Sequence, residues 1–249
     1  MSNVELPAYL ARIGYRGSIK PTRETLRELH RAHLFTVPFE NLDIGWGRKI
    51  VCDEASFLRK VVEERRGGFC YELNGAFAAL LRGLGFKVTL LSARVARADG
   101  TLSQEFDHLA LRMDLDEPWL ADVGFGESFL EPLRLQPDRE SQGYRIVQEL
   151  ERWHVERREP DGGWKRQYAV TLTPRTLEDF APMCHYHQSS PDSHFTQNRV
   201  CTKATPTGRI TLTKDKLILT RNGVREEKPL SSDQEWKDAL REHFGIAAP

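Results

Sequence analysis

The chain has 249 residues, of which 39% are hydrophobic and 29% are charged, values typical of a soluble globular protein. Its 36 basic side chains are balanced by 36 acidic ones, whereas a nucleic-acid-binding protein usually carries a basic excess or a basic stripe. The longest apolar runs are a few residues, far short of the roughly 20 that span a bilayer, and the N-terminus lacks the features of a signal peptide. We therefore predict no nucleic-acid partner, no membrane association and a cytoplasmic location.

Four cysteines are scattered along the chain without a C-x-x-C pair: Cys52, Cys70, Cys184 and Cys201. So few cysteines in a chain of this length argue against a disulfide framework. Most are expected to be buried or idle thiols.

The first third of the chain carries the signals of three helices. Thr22 is a suitable N-cap for a helix that must end before Val37-Pro38, because proline disfavours helical geometry in the residue before it. A second helix starts at Asp53 and ends in two arginines followed by Gly67-Gly68, a basic last turn with a glycine stop. A third runs from residue 70 to about residue 82, with apolar residues at helical spacing.

From Phe86 onward the apolar pattern changes to alternation, which is typical of strands. The predicted strands are 88–95, 109–113, 119–121, 153–155 and 168–172. They indicate an antiparallel sheet or a small barrel.

The pattern is irregular over 176–200 and becomes regular again towards the C-terminus. A hairpin is predicted from 209–213 and 216–220. Ser232 and Glu235 form a capping box that opens a last helix.

Cys70 lies in the most informative stretch, directly after Gly67-Gly68-Phe69. The two glycines permit a close approach of the backbone, and Cys70 then falls in the first turn of a helix. The unpaired N–H groups and the positive dipole end there stabilise a thiolate, and with a neighbouring imidazolium they can lower a cysteine pKa to about 3.5–7.5. The alternative is a small buried core residue, and the motif alone leaves both interpretations open.

A thiolate nucleophile usually needs a histidine that is oriented by a third group. His108 begins a predicted strand and Asp122 ends the next one. A hairpin centred on Leu115 would set these two side chains directly opposite each other, with Cβ atoms about 4.5–5.5 Å apart. The alternative is an ordinary polar cross-strand pair, and a shift of one residue would destroy the geometry.

These motifs together resemble the arylamine N-acetyltransferase family. The resemblance rests on V-P-F-E-N-L at 37–42, R-G-G-F-C-Y-E-L-N at 66–74, His108 and D-V-G-F-G at 122–126. Further similar segments, S-P-D-S-H-F at 190–195 and V-C-T at 200–202, extend it over nearly the whole chain.

The resemblance implies an α+β fold with a papain-like cysteine-enzyme core. A helical lobe at 1–85 would bear Cys70, an antiparallel β-lobe at 86–188 would bear His108 and Asp122, and 189–249 would form a small α/β lid. It also implies that an acetyl group moves from acetyl-CoA through the cysteine to an arylamine, arylhydrazine or N-hydroxyarylamine, by a ping-pong route. The chain is shorter than expected of a bacterial member in the lid, so CoA contacts made by the missing part of the lid are not carried over.

Further residues acquire roles only through the resemblance. The implied substrate-binding residues are Phe39, Val95, Phe125 and Phe195. The implied cofactor-binding residues are Gly124, Gly126 and Ser193, and Glu40 with Arg66 matches a charged pair near the active site. For each aromatic residue, core packing is the alternative.

Three other functions share these features: an amide synthase that joins an acyl chain to an aromatic amine, a cysteine hydrolase, and a non-catalytic binding module. A metal site is not predicted. Cys184, His185, His187, His194 and Cys201 cluster in sequence, but standard zinc spacings are absent. The oligomeric state is not predicted.

Overall fold

The computed structural model describes residues 5–249 and has an α+β fold, as predicted. Its helices are α1 (Glu5–Arg12), α2 (Arg23–Thr36), α3 (Leu42–Gly45), α4 (Glu54–Leu58), which continues as a π-helix (Arg59–Glu63), α5 (Cys70–Gly83), α6 (Leu177–Ser189), α7 (His194–Gln197) and α8 (Asp233–Phe244). Within the described part of the chain, no helix has the length and apolar character needed to cross a membrane.

The strands form two antiparallel sheets. They are β1 (Phe39–Glu40), β2 (Val88–Val95), β3 (His108–Asp114), β4 (Pro118–Ala121), β5 (Leu133–Arg134), β6 (Tyr144–Glu149), β7 (Arg152–Arg158), β8 (Trp164–Val170), β9 (Cys201–Thr205), β10 (Gly208–Leu212), β11 (Lys216–Arg221) and β12 (Val224–Pro229). The larger sheet has the order β5-β4-β3-β2-β8-β7-β6, and the smaller has the order β1-β9-β10-β11-β12.

The helix starts predicted from capping residues are confirmed. The hydroxyl of Thr22 accepts a hydrogen bond from Thr25 N, and the carboxylate of Asp53 accepts one from Ser56 N at 2.7 Å. The N-cap half of the capping box before α8 is present, because Ser232 Oγ accepts from Glu235 N at 3.2 Å, while the Glu235 carboxylate accepts from Ser231 N at 2.7 Å and not from Ser232 N. Each side chain satisfies an N–H group that has no partner inside its helix.

The predicted register between β3 and β4 is wrong by two residues. Asp114 pairs with Pro118 and Leu111 with Ala121, so the hairpin is centred on Asp116 and has a three-residue turn. Continued by one step, this register places residue 110, not His108, opposite Asp122. Because side chains alternate with a period of two, the shift keeps His108 and Asp122 on the same face as diagonal neighbours.

The sequence patterns missed helix α6 and strands β6, β9 and β12. Helix α6 contains Pro182 and is mostly polar, but its buried residues Phe180, Cys184 and His187 do follow helical spacing. Strand β12 is exposed along its whole length, so no alternation of burial marks it.

A shared core joins the nucleophile helix to the larger sheet. Helix α5 is buried from Cys70 to Leu81 and packs against β2 and β3, while Phe180 of α6 belongs to the same apolar cluster. Strand β1 pairs with β9, which brings Phe39 opposite Thr202. The predicted division at residues 85 and 188 stays a prediction.

Candidate active site

The predicted site residues converge on one cavity of about 470 Å³. Its wall includes Cys70, His108, Phe39, Val95, Phe125, Phe195, Gly124 and Ser193. Gly126 lies beside this wall. Its φ is 86°, and a Cβ added to it would contact the Phe39 ring at 3.7 Å. Residues from both sheets and from α5 therefore meet at a single place.

The sequence before Cys70 places its thiol at the start of α5. Gly67 passes so close to Pro38 that a Cβ at this position would overlap the carbonyl oxygen of Pro38. Phe69 is the N-cap, and its N–H donates to the Glu72 carboxylate at 3.1 Å. The expected close backbone approach and helix start are both confirmed.

The thiol of Cys70 is buried, with 3% of the residue exposed. Burial raises its pKa well above the usual value, and the carboxylates of Asp107 and Asp122 add to this. The N–H groups of Leu109 and Tyr71 act in the opposite direction but do not overcome burial. This direction is opposite to the lowering that the helix start and a neighbouring imidazolium were expected to cause.

His108 and Asp122 form a buried imidazole–carboxylate pair. His108 Nε2 lies 2.7 Å from Asp122 Oδ2, and the two residues are 2% and 0% exposed. Since Nε2 is engaged by the carboxylate, Nδ1 is the nitrogen left for chemistry in the cavity. Burial alone would raise the pKa of Asp122, but His108, Asn74 and the N–H of Gly124 lower it overall, so this residue stays a carboxylate.

Asn74 forms hydrogen bonds that fix the position of Asp122, and the sequence analysis did not identify it. It lies one turn after Cys70 on the same face of α5. Its Nδ2 donates to Asp122 Oδ1 at 2.9 Å and to Leu109 O at 2.6 Å, and its Oδ1 accepts from Val123 N at 2.9 Å. The Asn74 amide thus links α5 to strand β3, which begins at His108, and to the segment directly after β4 that contains Asp122.

His30 of α2 holds the backbone of Asp122 from the opposite side. Its Nδ1 lies 2.9 Å from Leu130 O, which can only accept, so Nδ1 carries the hydrogen. Nε2 lies 3.1 Å from Asp122 O and 3.2 Å from Asp122 N, and with the hydrogen on Nδ1 it accepts from the N–H. Burial lowers the pKa of His30 to about 4, so the ring is neutral at neutral pH and keeps this acceptor.

A buried cluster of five charged residues lies beneath the start of α5: Glu40, Asp43, Lys60, Arg66 and Glu72. The predicted pair is present, with Arg66 Nη2 2.7 Å from Glu40 Oε1. Lys60 Nζ lies 2.7 Å from both Asp43 Oδ2 and Glu72 Oε1. Two cations face three carboxylates, and burial raises the pKa of Glu72 to about 7 despite the attraction of Lys60.

A second imidazole–carboxylate pair lines the same cavity. His187 Nε2 lies 3.0 Å from Asp107 Oδ1, and His187 Nδ1 lies 3.2 Å from Ser193 Oγ. His187 belongs to the sequence cluster weighed above as a metal site. Among residues 5–249 no three His, Cys, Asp or Glu side chains are arranged to hold a metal ion.

Sequence reasoning missed Asn74, His30, Lys60, Asp107 and His187. Asn74 could have been found, because it lies four residues after Cys70 in a helix. His187 stands 79 positions from His108, within a stretch interpreted as irregular, and no local pattern links the two.

The comparisons with known proteins cover nearly the whole chain. The N-acetyltransferase family model matches residues 22–249. The arylamine N-acetyltransferase / N-hydroxyarylamine O-acetyltransferase of Salmonella typhimurium is 37% identical over 97% of this chain and 88% of its own.

Solved structures are equally similar. An arylamine N-acetyltransferase from Salmonella typhimurium superposes with a TM-score of 0.91 and 33% identity, over 99% of this chain and 92% of its own. The Mycobacterium marinum arylamine N-acetyltransferase in complex with CoA superposes with a TM-score of 0.90 and 30% identity, over 97% of this chain and 92% of its own. The chain belongs to the arylamine N-acetyltransferase family.

Proposed function

We propose that Cys70 takes an acetyl group from acetyl-CoA and passes it to the nitrogen of an arylamine, arylhydrazine or N-hydroxyarylamine, with His108 and Asp122 completing a catalytic triad. The observation that carries this proposal is one cavity lined by a buried thiol and by an imidazole whose far nitrogen is held by a carboxylate. The relatives named for arylamine and N-hydroxyarylamine acetylation, and the relative solved with CoA, support the choice of substrates.

In the first half-reaction, His108 Nδ1 removes the proton from the Cys70 thiol. The sulfur attacks the acetyl carbonyl of acetyl-CoA, and the bond between that carbon and the CoA sulfur breaks. The imidazolium returns its proton to the departing CoA thiolate. Unpaired N–H groups in the first turn of α5 are positioned to stabilise the oxyanion.

In the second half-reaction, the amine nitrogen attacks the acetyl carbon on Cys70. His108 takes a proton from that nitrogen, the bond to Cys70 sulfur breaks, and the proton returns to the thiolate. Asp122 keeps Nδ1 of the ring facing the cavity and stabilises the imidazolium in both halves. Because burial raises the pKa of the Cys70 thiol, this route relies on the base rather than on a preformed thiolate.

The walls of the cavity fit a flat acceptor. Phe39 and Phe195 are 6.2 Å apart between ring centroids, and Phe125 meets the His108 ring edge-on at 5.2 Å. We assign acceptor binding to these aromatic residues together with Val95. Such walls would orient an aromatic amine against the thioester and keep water away, an effect worth several kcal/mol of barrier.

We assign the acetyl-CoA side of the cavity to Gly124, Gly126 and Ser193. A Cβ on Gly124 would stand 2.8 Å from the Cα of Cys70, so only glycine lets the backbone pass this close to the thiol. Ser193 Oγ accepts from Phe195 N at 3.2 Å, which fixes the loop that carries this aromatic ring.

We also propose a cytoplasmic location, because the four cysteines are free thiols and the mechanism needs a reduced Cys70. The proposed partners are acetyl-CoA and a small aromatic amine, with neither nucleic acid nor membrane.

The test is intact mass spectrometry of the full chain with acetyl-CoA. We expect a burst of about one CoA per enzyme and an acetyl group on Cys70, slow loss in water, and rapid loss when 4-anisidine is added. Initial rates should give parallel double-reciprocal lines. Cys70→Ala should fold and remain unmodified.

Two other outcomes would replace the proposal. Steady CoA release without amine, unchanged when amine is added, would make the protein a thioester hydrolase. Acylation by long acyl thioesters but not by acetyl-CoA would favour an amide synthase.

A further inference from the structure

We propose that Asp107, paired with His187, selects the acceptor: its carboxylate favours aromatic amines that carry a hydrogen-bond donor on the ring and disfavours those that carry a carboxylate. This inference rests on the proposed function and concerns its second half-reaction only. The observation behind it is the second imidazole–carboxylate pair on the wall of the cavity that holds Cys70.

Asp107 is positioned by a turn in which the preceding residue, Phe106, has a left-handed backbone conformation. Adjacent residues of a regular strand point to opposite faces, so two neighbours rarely line one cavity. Asp107 precedes β3 and follows Phe106, which adopts a left-handed φ of 66°. Ser92 Oγ accepts from Phe106 N, and the Tyr71 hydroxyl donates to Phe106 O, each at 2.8 Å. This turn places Asp107 and His108 side by side in the cavity wall.

His187 is buried between Ser193 and Asp107. Ser193 Oγ accepts from a backbone N–H, so its hydroxyl hydrogen is free to donate to His187 Nδ1 at 3.2 Å. The hydrogen on His187 then resides on Nε2, which lies 3.0 Å from Asp107 Oδ1 but is not aligned for a hydrogen bond. Asp107 therefore sits at ion-pair distance from His187 and keeps 20% of its side-chain surface exposed on the cavity wall.

The charges around Asp107 keep it ionised. Burial alone would raise its pKa, but interactions with His187, Ser103 and the nearby His108 lower it overall. Its charge in turn raises the pKa of the Cys70 thiol. The remaining charged or titratable groups on the wall are the half-buried Tyr186 and, at the exposed rim, Arg97, Asp192 and His194.

A partly buried carboxylate discriminates strongly between ring substituents. A hydroxyl or amino group on the acceptor can donate to the exposed part of this carboxylate, and hydrogen bonds to charged groups are stronger than those between neutral groups. An acceptor carboxylate would be placed near a like charge. A methoxy group has nearly the shape of a hydroxyl but no hydrogen to donate, so this pair of substituents isolates the hydrogen bond.

The test compares kcat/KM for 4-aminophenol and 4-anisidine, and for 4-aminobenzoate and its methyl ester, with the 3-substituted isomers alongside. In a ping-pong reaction this constant reports only the step between acyl-enzyme and acceptor. We expect wild type to prefer hydroxyl over methoxy and ester over carboxylate. Asp107→Asn, which keeps the shape and removes the charge, should reduce each ratio by about tenfold. The control Asp192→Asn removes a rim carboxylate and should leave both ratios as in wild type.

Ratios cancel any change that Asp107→Asn causes at the Cys70 thiol or in folding, since both acceptors meet the same acyl-enzyme. Equal ratios in wild type and Asp107→Asn overturn the inference, as does a wild type that does not distinguish hydroxyl from methoxy in either isomer. If acetyl-CoA leaves no acetyl group on Cys70, the proposed function itself fails. If the acetyl group forms but the ratios do not move, only the role of Asp107 is wrong.

Discussion

The cavity carries two imidazole–carboxylate pairs that differ in how they are held. Asp122 is 0% exposed and is fixed through both oxygens and its backbone N–H, by His108, Asn74, Gly124 and His30. Asp107 keeps 20% of its side chain exposed and is held through its side chain by His187 and Ser103.

The difference separates a pair fit for chemistry from a pair fit for recognition. A base must keep one nitrogen free and its ring orientation constant, which the interlocked contacts of Asp122 provide. A recognition group must keep one acceptor available to the ligand, which a partly exposed Asp107 does. We therefore propose that the same two side-chain types serve different steps, because one pair is anchored at the ends of strands and the other lies between a turn and a helix.

The strongest test of this division replaces each aspartate by asparagine. Asp122→Asn should lower the rate of acetyl transfer by about 10⁴, as loss of the aspartate does in serine proteases, because the imidazolium loses its partner. Asp107→Asn, assayed with 4-anisidine, should lose far less. Rapid-quench measurement of the CoA burst, with circular dichroism as the folding control, checks both.

Near-normal bursts in Asp122→Asn would mean that His108 does not depend on this carboxylate. Equal losses in the two variants would mean that both pairs serve the chemical step.

An intermediate effect is expected from the positioning contact of His30. His30→Phe removes the acceptor of the Asp122 N–H and leaves a buried donor unpaired, which costs about 1–3 kcal/mol. We expect the burst rate to fall by about 10- to 100-fold. His33→Phe is the matched control: this histidine is buried in the same helix and bonds Tyr9 at 3.2 Å, away from Asp122.

His33→Phe should change the free energy of unfolding without changing the burst rate per folded enzyme. If both variants slow the burst equally, the effect of His30 is a general loss of packing and not a displacement of Asp122.

The smallest effect concerns the charged cluster beneath α5. We expect it to make the free energy of unfolding depend on pH, independently of the two imidazole–carboxylate pairs. Burial raises the pKa of Glu72 to about 7 from its usual 4.5, so between these values the native state holds a proton that the unfolded chain has released. Stability from this group is therefore present below about pH 4.5, falls as pH rises to about 7, and is level above that. Glu72→Gln keeps a residue suited to the capping box and leaves two carboxylates facing two cations.

Urea unfolding at pH 5 and pH 8 measures this contribution. Wild type should lose on the order of 1–3 kcal/mol through Glu72 between these values, and Glu72→Gln should lose correspondingly less. An identical pH dependence in both proteins would show that Glu72 is ionised throughout.

Local sequence patterns alone predicted much of the fold and the main candidate residues of the site. Caps at Thr22, Asp53 and Ser232 located three helices, because capping depends on neighbours within four residues. The glycine pair before Cys70 and the strand ends at His108 and Asp122 were visible for the same reason: each is a feature of a short segment.

The tertiary structure decided the contacts between residues that lie far apart in the sequence, which no local pattern can predict. The position of the turn between β3 and β4 set the register, and Asp122 faces His108 diagonally because the hairpin is centred on residue 116 and not on residue 115. Helix α6 was hidden because Pro182 and polar side chains obscure its apolar spacing. His30, Asn74 and His187 reach the site from three separate helices. Their contacts are chosen by packing in three dimensions, and only burial makes an unpaired donor or charge costly enough to require them.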